Sequence, residues 1–194
     1  MFGGRVNWVK FRLWSYAPLM LAGVAVSVVA FILLRSQPLV LLTLGVALLL
    51  PGQIARMLLA DLIKSRKQLA LGNFEDSLNS SQRFLEACHR RPWIRHAMWA
   101  LYGIYSLDVV AMGLNNAGAA LLDLNQLDLS ESFLKASMEK DPHSPLPVMN
   151  MARLERRRGN GAHANELAAR ANDLGFPIQD LDEIERILAR KRAR

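Results

Sequence analysis

The segment Pro145–Gly175 constrains the fold more than any other part of the chain. It is predicted to form two short helices around one sharp turn, because small and apolar residues recur at helical spacing on both sides of Gly159. Gly159 is predicted to take the left-handed conformation that ends the first helix. Pro145 and Pro147 stand where a helix can begin, since the first amides of a helix have no partner within it. Small residues predicted to lie between the two helices are Ala152, Ala164 and Ala171.

This segment resembles the tetratricopeptide repeat (TPR), whose unit of about 34 residues is a pair of antiparallel helices. Weaker copies precede it, one around Gly72, Phe74 and Ser77 and one that begins near Asn116. The dipeptide Asp141-Pro142 marks the junction between repeats that is typical of the family. The resemblance covers about residues 53–175. It implies an all-α fold in which a TPR-like α-solenoid of about three helix pairs occupies residues 61–176, and a capping helix with a basic tail occupies residues 177–194.

The N-terminal part of the chain has the composition of a membrane anchor. Ser15–Leu34 is a run of twenty residues without a charge, the length that a membrane-spanning helix needs. A second apolar run, Leu39–Leu50, follows a short turn and is predicted to continue, kinked at Pro51, to about Ala60. A partial second span is the alternative, because twelve residues cover only about 18 Å. The sequence therefore predicts a transmembrane hairpin over residues 15–60, with spans at about 15–34 and 39–60, after a basic N-terminus of residues 1–14.

Positive charges on either side of this hairpin predict its orientation. Arginine and lysine cluster before the first span and after the second, whereas Arg35 alone marks the turn between them. Positively charged flanks stay on the cytoplasmic side of a membrane. Both termini and the repeats are therefore expected to be cytoplasmic, in a bacterial inner membrane.

Charge and motifs argue against several classes of function. The net charge of +7 is divided between basic segments and an acidic segment over residues 108–142, which does not resemble a nucleic-acid-binding face. The chain has four histidines and one cysteine but lacks the paired spacing of a zinc site. It also lacks a nucleophile elbow or a phosphate-binding loop. We therefore expect no enzyme activity, no cofactor, no metal, no small-molecule substrate and no nucleic-acid partner.

The resemblance implies a partner-binding groove, because the first helices of successive TPR units line one concave surface. The basic run Arg153–Arg158 has two interpretations, a solvated helix face or the rim of this groove for a peptide with acidic residues. A carboxylate clamp of the kind found in the family is not expected, since Leu146 and Asn150 occupy positions where that clamp carries basic residues. The predicted groove residues are Asn116, Leu146, Met149, Asn150, Arg153 and Arg157.

An aromatic segment follows the first predicted repeat, and its role stays open at this stage. Its rings belong either to the core or to a belt at the membrane surface, where neighbouring arginines would meet anionic headgroups. Residues 92–124 form either one helix or two, with a break near residues 106–108. The candidates for membrane-surface contact are Arg90, Arg91, Trp93, Arg95, Trp99 and Tyr102.

Together these features predict a membrane-anchored TPR scaffold that recruits or assembles a protein partner at the cytoplasmic face, as a subunit or assembly factor of a cell-envelope complex. The partner would be a peptide segment or a subunit of a membrane complex. The alternative is a structural subunit of a larger membrane complex that packs through its transmembrane hairpin, for which Ala22, Gly23, Ala25 and Ser27 offer small residues.

Overall fold

The computed structural model describes residues 52–94 and 108–177, together with 181–183 and the isolated positions 25, 26, 28, 29, 32 and 186. This part of the chain is helical and contains no strand, as the sequence predicted. Its helices are α1 (Ala60–Leu71), α2 (Phe74–Arg90), α3 (Val109–Asp123), α4 (Leu127–Lys140), α5 (Pro145–Arg157) and α6 (Gly161–Asp173).

The helices pair into three hairpins, α1 with α2, α3 with α4 and α5 with α6. Each hairpin turns at one residue with positive φ: Gly72 at 81°, Asn125 at 61° and Gly159 at 86°. At all three turns this residue donates its amide three residues back and the next residue donates five residues back, which is the Schellman pattern. The predicted turn at Gly159 and the predicted helix start at Pro145 are confirmed.

The second and third hairpins repeat with a fixed interval. Gly159 follows Asn125 by 34 residues, and Ala164 follows Ser130 by the same interval. Gly72 precedes Asn125 by a longer interval of 53 residues. The same turn and the same packing positions therefore recur in each hairpin.

Small residues let the helices of each hairpin approach closely. The Ser77 hydroxyl donates to the Ser65 carbonyl at 2.9 Å, and the Ser130 hydroxyl donates to the Gly118 carbonyl at 2.7 Å. In the third hairpin the corresponding positions are apolar, and Ala164 is buried there as predicted. In the second hairpin a Cβ on Gly118 would lie 2.8 Å from the Leu134 side chain, so α3 and α4 are in close contact there.

The hairpins pack side by side in chain order. Each first helix contacts the next first helix, and each second helix packs against the first helix of the following hairpin. Two apolar clusters result: one joins α1 and α2 to the start of α3, and the other joins the second and third hairpins. The start of α3 is fixed by Asp108, whose carboxylate accepts the amides of Val110 at 2.7 Å and Ala111 at 3.4 Å. A helix thus begins just after the break predicted near residues 106–108.

Helical structure also precedes α1. Residues 52–58 are helical, and the Leu59 amide donates to the Ala55 carbonyl at 3.0 Å, which links this segment to α1 through a distorted residue. Within the described residues, no helix has both the length and the hydropathy that crossing a membrane requires. The predicted spans at 15–34 and 39–60 lie outside the described residues, apart from residues 52–60 and isolated helical positions in the first span.

The predicted capping helix is described only in part. Residues 181–183 are helical, and Leu181 is buried in the apolar cluster of the second and third hairpins. Asp182 forms an ion pair with Arg156 of α5. The basic tail lies outside the described residues.

Candidate functional site

A cavity of about 420 Å³ lies where the first helices of the three hairpins come together. α1 contributes Arg66 and Leu69, α3 and α5 contribute most of the wall, and residues 175–177 close one side. Five of the six predicted groove residues line this cavity, and Arg157 lies beside it on α5. The five are Asn116, Leu146, Met149, Asn150 and Arg153.

The wall of the cavity is mainly apolar, with carboxamides set into it. Ala111, Met112 and Ala119 of α3 face Leu146 and Met149 of α5 across the space. Pockets of this composition use a few placed polar groups to orient an otherwise apolar ligand.

Asn116 is the polar group in this wall that lacks a partner. The residue is only 7% exposed. Its side-chain nitrogen is buried and has no hydrogen-bond acceptor among the described residues. A buried donor without an acceptor costs about 1–3 kcal/mol. The wall of the cavity therefore contains a buried carboxamide nitrogen that no described acceptor satisfies.

Asn150 stands 34 residues after Asn116 in the chain, at the same position of the third hairpin, and its amide is engaged. Asn150 donates to the side-chain oxygen of Asn115 at 2.9 Å and accepts from Arg153 at 3.2 Å. The two asparagines therefore differ: Asn150 joins adjacent hairpins, whereas the Asn116 nitrogen is buried without a described acceptor.

The arginines predicted for the groove rim pair with an acidic residue of the preceding hairpin. Arg153 and Arg157 donate to the same oxygen of Asp123, at 3.0 Å and 2.8 Å. The side chains of Arg153 and Asp123 are both only 4% exposed, and Arg157 also donates to the Leu122 carbonyl. The interpretation of the basic run as a solvated face is wrong for Arg153 and for the buried Glu155. Arg153 therefore finds a carboxylate within the protein, because Asp123 at the end of α3 lies against Arg153 and Arg157 of α5.

A second ionic group extends this contact at the surface. Arg158 donates to Glu131 at 2.6 Å and to Asp128 at 2.7 Å, and Lys135 pairs with Glu131 at 2.5 Å. Hydrogen bonds from Lys135 and then Arg158 hold the pKa of the Glu131 carboxyl below its ordinary value, while desolvation opposes them. The bond to Glu131 raises the pKa of the Arg158 guanidinium. The acidic second hairpin and the basic run of the third are thus matched to each other.

The structure describes three of the six residues predicted to contact the membrane surface. Arg90, Arg91 and Trp93 lie exposed at the end of α2. Arg95, Trp99 and Tyr102 lie outside the described residues.

No group of histidine, cysteine and carboxylate side chains in the described ranges is arranged to hold a metal ion. Cys88 is buried in the first apolar cluster.

Sequence reasoning missed three features of the site: the role of Asp123, the lining by α1 and the lining by Phe176. The opposite net charges of residues 108–142 and of the run Arg153–Arg158 were a signal for the first. The other two required knowing how the hairpins stack.

Comparison of the chain with protein families, with curated proteins and with solved structures finds no match. The function must therefore be argued from the site itself.

Proposed function

We propose that this protein is a membrane-anchored helical-repeat scaffold of the TPR type that holds a protein partner at the cytoplasmic face of a bacterial inner membrane. The cavity between the first helices would receive a segment of the partner. The observation that carries the proposal is the cavity itself, which five of the six predicted groove residues line.

The repeat assignment is supported by the interval of 34 residues between corresponding positions of the second and third hairpins, the length of a TPR unit. It is also supported by the pattern in which each second helix packs on the next first helix. Solenoids of stacked hairpins offer an extended surface for binding.

The chemistry of the cavity narrows the partner segment. The Arg153 guanidinium is only 4% exposed and is already bound to Asp123 inside the protein. An apolar segment fits better than an acidic one, because the wall is mainly apolar and the side chains of such a segment would contact Met112 and Met149.

Membrane anchoring is supported by the sequence alone, through the two apolar runs and their positive flanks. Tethering would raise the effective concentration of the partner at the bilayer. Topology is tested with single cysteines in a Cys88→Ser background. Ser36→Cys should react with an impermeant reagent on intact cells and Asn73→Cys should not; the reverse result would place the repeats outside.

The scaffold itself is tested by site-specific photo-crosslinking of the full chain in native membranes. A photoreactive residue at Leu146, which lines the cavity, should give a discrete adduct with one protein. The same residue at Leu129, which is exposed on α4 outside the cavity, should not. Met112→Ala, which removes an apolar contact from the wall of the cavity, should weaken the adduct at position 146. Adducts that are identical at both positions and insensitive to Met112→Ala would exclude the cavity as the binding site and favour a partner held by the transmembrane hairpin.

A further inference from the structure

The start of α1 and the end of α2 meet at one end of the first hairpin. The register is set by Ser65 and Ser81, whose hydroxyls lie 2.6 Å apart, and by Arg83, which donates to Asp61 at 3.4 Å. Residues before Ala60 therefore lie beside residues at the end of α2, and Leu59 and Ile94 share one apolar cluster. We call residues 52–58 and 90–94 the basal end of the hairpin.

The basal end exposes large apolar side chains. Met57 is 78% exposed, Trp93 is 54% exposed and Ile54 is 51% exposed. Large apolar side chains exposed at one end of a hairpin are suited to contact with a membrane or a protein.

The charges at the basal end are positive. Arg56, Arg90 and Arg91 are all exposed there. Arg90 pairs with Glu86 at 3.2 Å, Arg83 pairs with Asp61 at 3.4 Å, and the Asp108 carboxylate caps α3 next to Val109 of the same apolar cluster. Arginine next to exposed tryptophan and aliphatic side chains is the composition of a surface that meets phosphate headgroups.

The chain enters the basal end from its most apolar part. Gly52 follows Leu39–Leu50, twelve residues without a charge, separated from it only by Pro51. Residues 52–58 are the last part of the predicted second span, so the basal end includes the point at which the chain leaves the predicted membrane anchor.

We propose that the basal end rests on the surface of an anionic bilayer, with Met57 and Trp93 at the headgroup level and the arginines on lipid phosphates. This inference rests on the membrane anchoring in the proposed function and adds an orientation to it. α1 then rises from the bilayer, so that the turn at Gly72 stands about 18 Å above the start of the helix. Arg66 and Leu69, which line the cavity, lie in the upper half of α1. The cavity is thus held clear of the lipid and open to a partner.

The test uses the full chain with one tryptophan, in vesicles that contain brominated lipid as a contact quencher. Trp8, Trp14 and Trp99 are replaced by Phe so that Trp93 alone is observed. The matched control moves the tryptophan to a site of equal exposure with Trp93→Phe and Leu129→Trp, since Leu129 is also 54% exposed. Vesicles are made of neutral lipid alone or with an anionic lipid.

Bromolipid should quench Trp93 and not the tryptophan at position 129, and quenching should be greater with anionic lipid. Arg90→Glu with Arg91→Glu should abolish that anionic increment, whereas Lys140→Glu with Arg170→Glu, exposed basic residues of other hairpins, should leave it unchanged. Circular dichroism checks that all variants retain their helices. Quenching at position 93 no greater than at 129 overturns the inference, and so does a Trp93 shielded from iodide but not quenched by lipid, which indicates a protein contact.

Extraction of the membranes with carbonate distinguishes a failure of the proposed membrane anchoring from a failure of the proposed orientation. A chain that resists extraction but leaves Trp93 unquenched keeps its anchor and refutes the orientation. A chain that carbonate removes contradicts the anchoring, and quenching of Trp93 by added anionic vesicles then decides the surface contact by itself.

Discussion

The two joints between hairpins are built from different chemistry. At the first joint, between α2 and α3, Phe84 packs where Gly113 leaves room, and a Cβ on that glycine would lie 2.9 Å from the ring. At the second joint, between α3–α4 and α5, buried Asp123 binds two arginines and Asn150 binds Asn115. The first joint therefore depends on shape, whereas the second depends on matched charges and amides as well as apolar contact.

One stacking geometry can therefore be stabilised in two ways. The stability of each joint should respond to a different kind of substitution. Apolar packing responds to changes of volume. A buried ion pair responds to loss of either partner, because the remaining charge stays in a site of low polarity. Substitutions at each joint should reveal these two behaviours.

The largest effect is expected from Asp123→Ala at the second joint. Loss of the carboxylate removes the ion pairs that Arg153 and Arg157 make across this joint, where Arg153 is buried, and should cost about 3–5 kcal/mol of stability. Asp128→Ala is the matched control, because this carboxylate is 99% exposed while it binds Arg158 and should contribute at most about 1 kcal/mol. Urea denaturation of the purified full chain measures both, and equal losses would refute the comparison.

The next effect is expected from Gly113→Ala at the first joint. The added methyl group would force Phe84 and Leu85 to move, at a cost of about 1–3 kcal/mol. Gly161→Ala is the control, since a Cβ there meets nothing within 4 Å. In a double-mutant cycle, Phe84→Leu should relieve part of the cost of Gly113→Ala. Strict additivity would show that Phe84 is not what the glycine accommodates.

A smaller difference in the free energy of unfolding is expected between substitutions of Asn116 and Asn150, which stand at equivalent positions. Asn150→Ala breaks the hydrogen bond to Asn115 across the second joint and should cost about 1 kcal/mol. Asn116→Ala removes a buried donor without a partner, so it should leave the free energy of unfolding unchanged or raise it. If Asn116→Ala destabilises the protein as much as Asn150→Ala does, the Asn116 donor has a partner in the folded chain.

The smallest expected effect is on the pH dependence of stability, through Glu131 at the second joint. Because the folded-state pKa of Glu131 is lowered by Lys135 and Arg158, its contribution to stability is present above the unfolded-state pKa and is lost as pH falls through the folded-state pKa. Glu131→Gln should therefore reduce the loss of stability on the acid side, by less than about 1 kcal/mol at this partly exposed site. Glu139→Gln, an exposed carboxylate of the same helix, is the control; melting temperatures from neutral pH to pH 3 compare them, and parallel curves for Glu131→Gln and wild type would contradict the linkage.

Much of the described fold could be predicted from local signals. The turns at Gly72 and Gly159 and the helix start at Pro145 follow from residues that act within one turn of the chain. The co-location of the groove residues came from the resemblance to a repeat, and five of them line one cavity. The membrane spans remain predictions, since they lie outside the described residues except at their margins.

The pairing of Arg153 and Arg157 with Asp123 could not be predicted from local signals. Arg153 and Arg157 share a helix face, which the sequence shows, but Asp123 lies some 30 residues earlier and meets them only because α3 and α5 pack together. The exposed groups at the basal end likewise come from the two ends of one hairpin.

The sequence by itself determined where helices begin, end and turn, because backbone preferences and capping hydrogen bonds act over a few residues. It also set the uneven distribution of charge and of apolar runs. Only the tertiary structure decided that Arg153, Arg157 and Arg158 pair with carboxylates of the second hairpin and that the Asn116 nitrogen is buried without a described acceptor. Ion pairing and desolvation depend on distances between segments far apart in the chain, and those distances exist only once the hairpins are stacked.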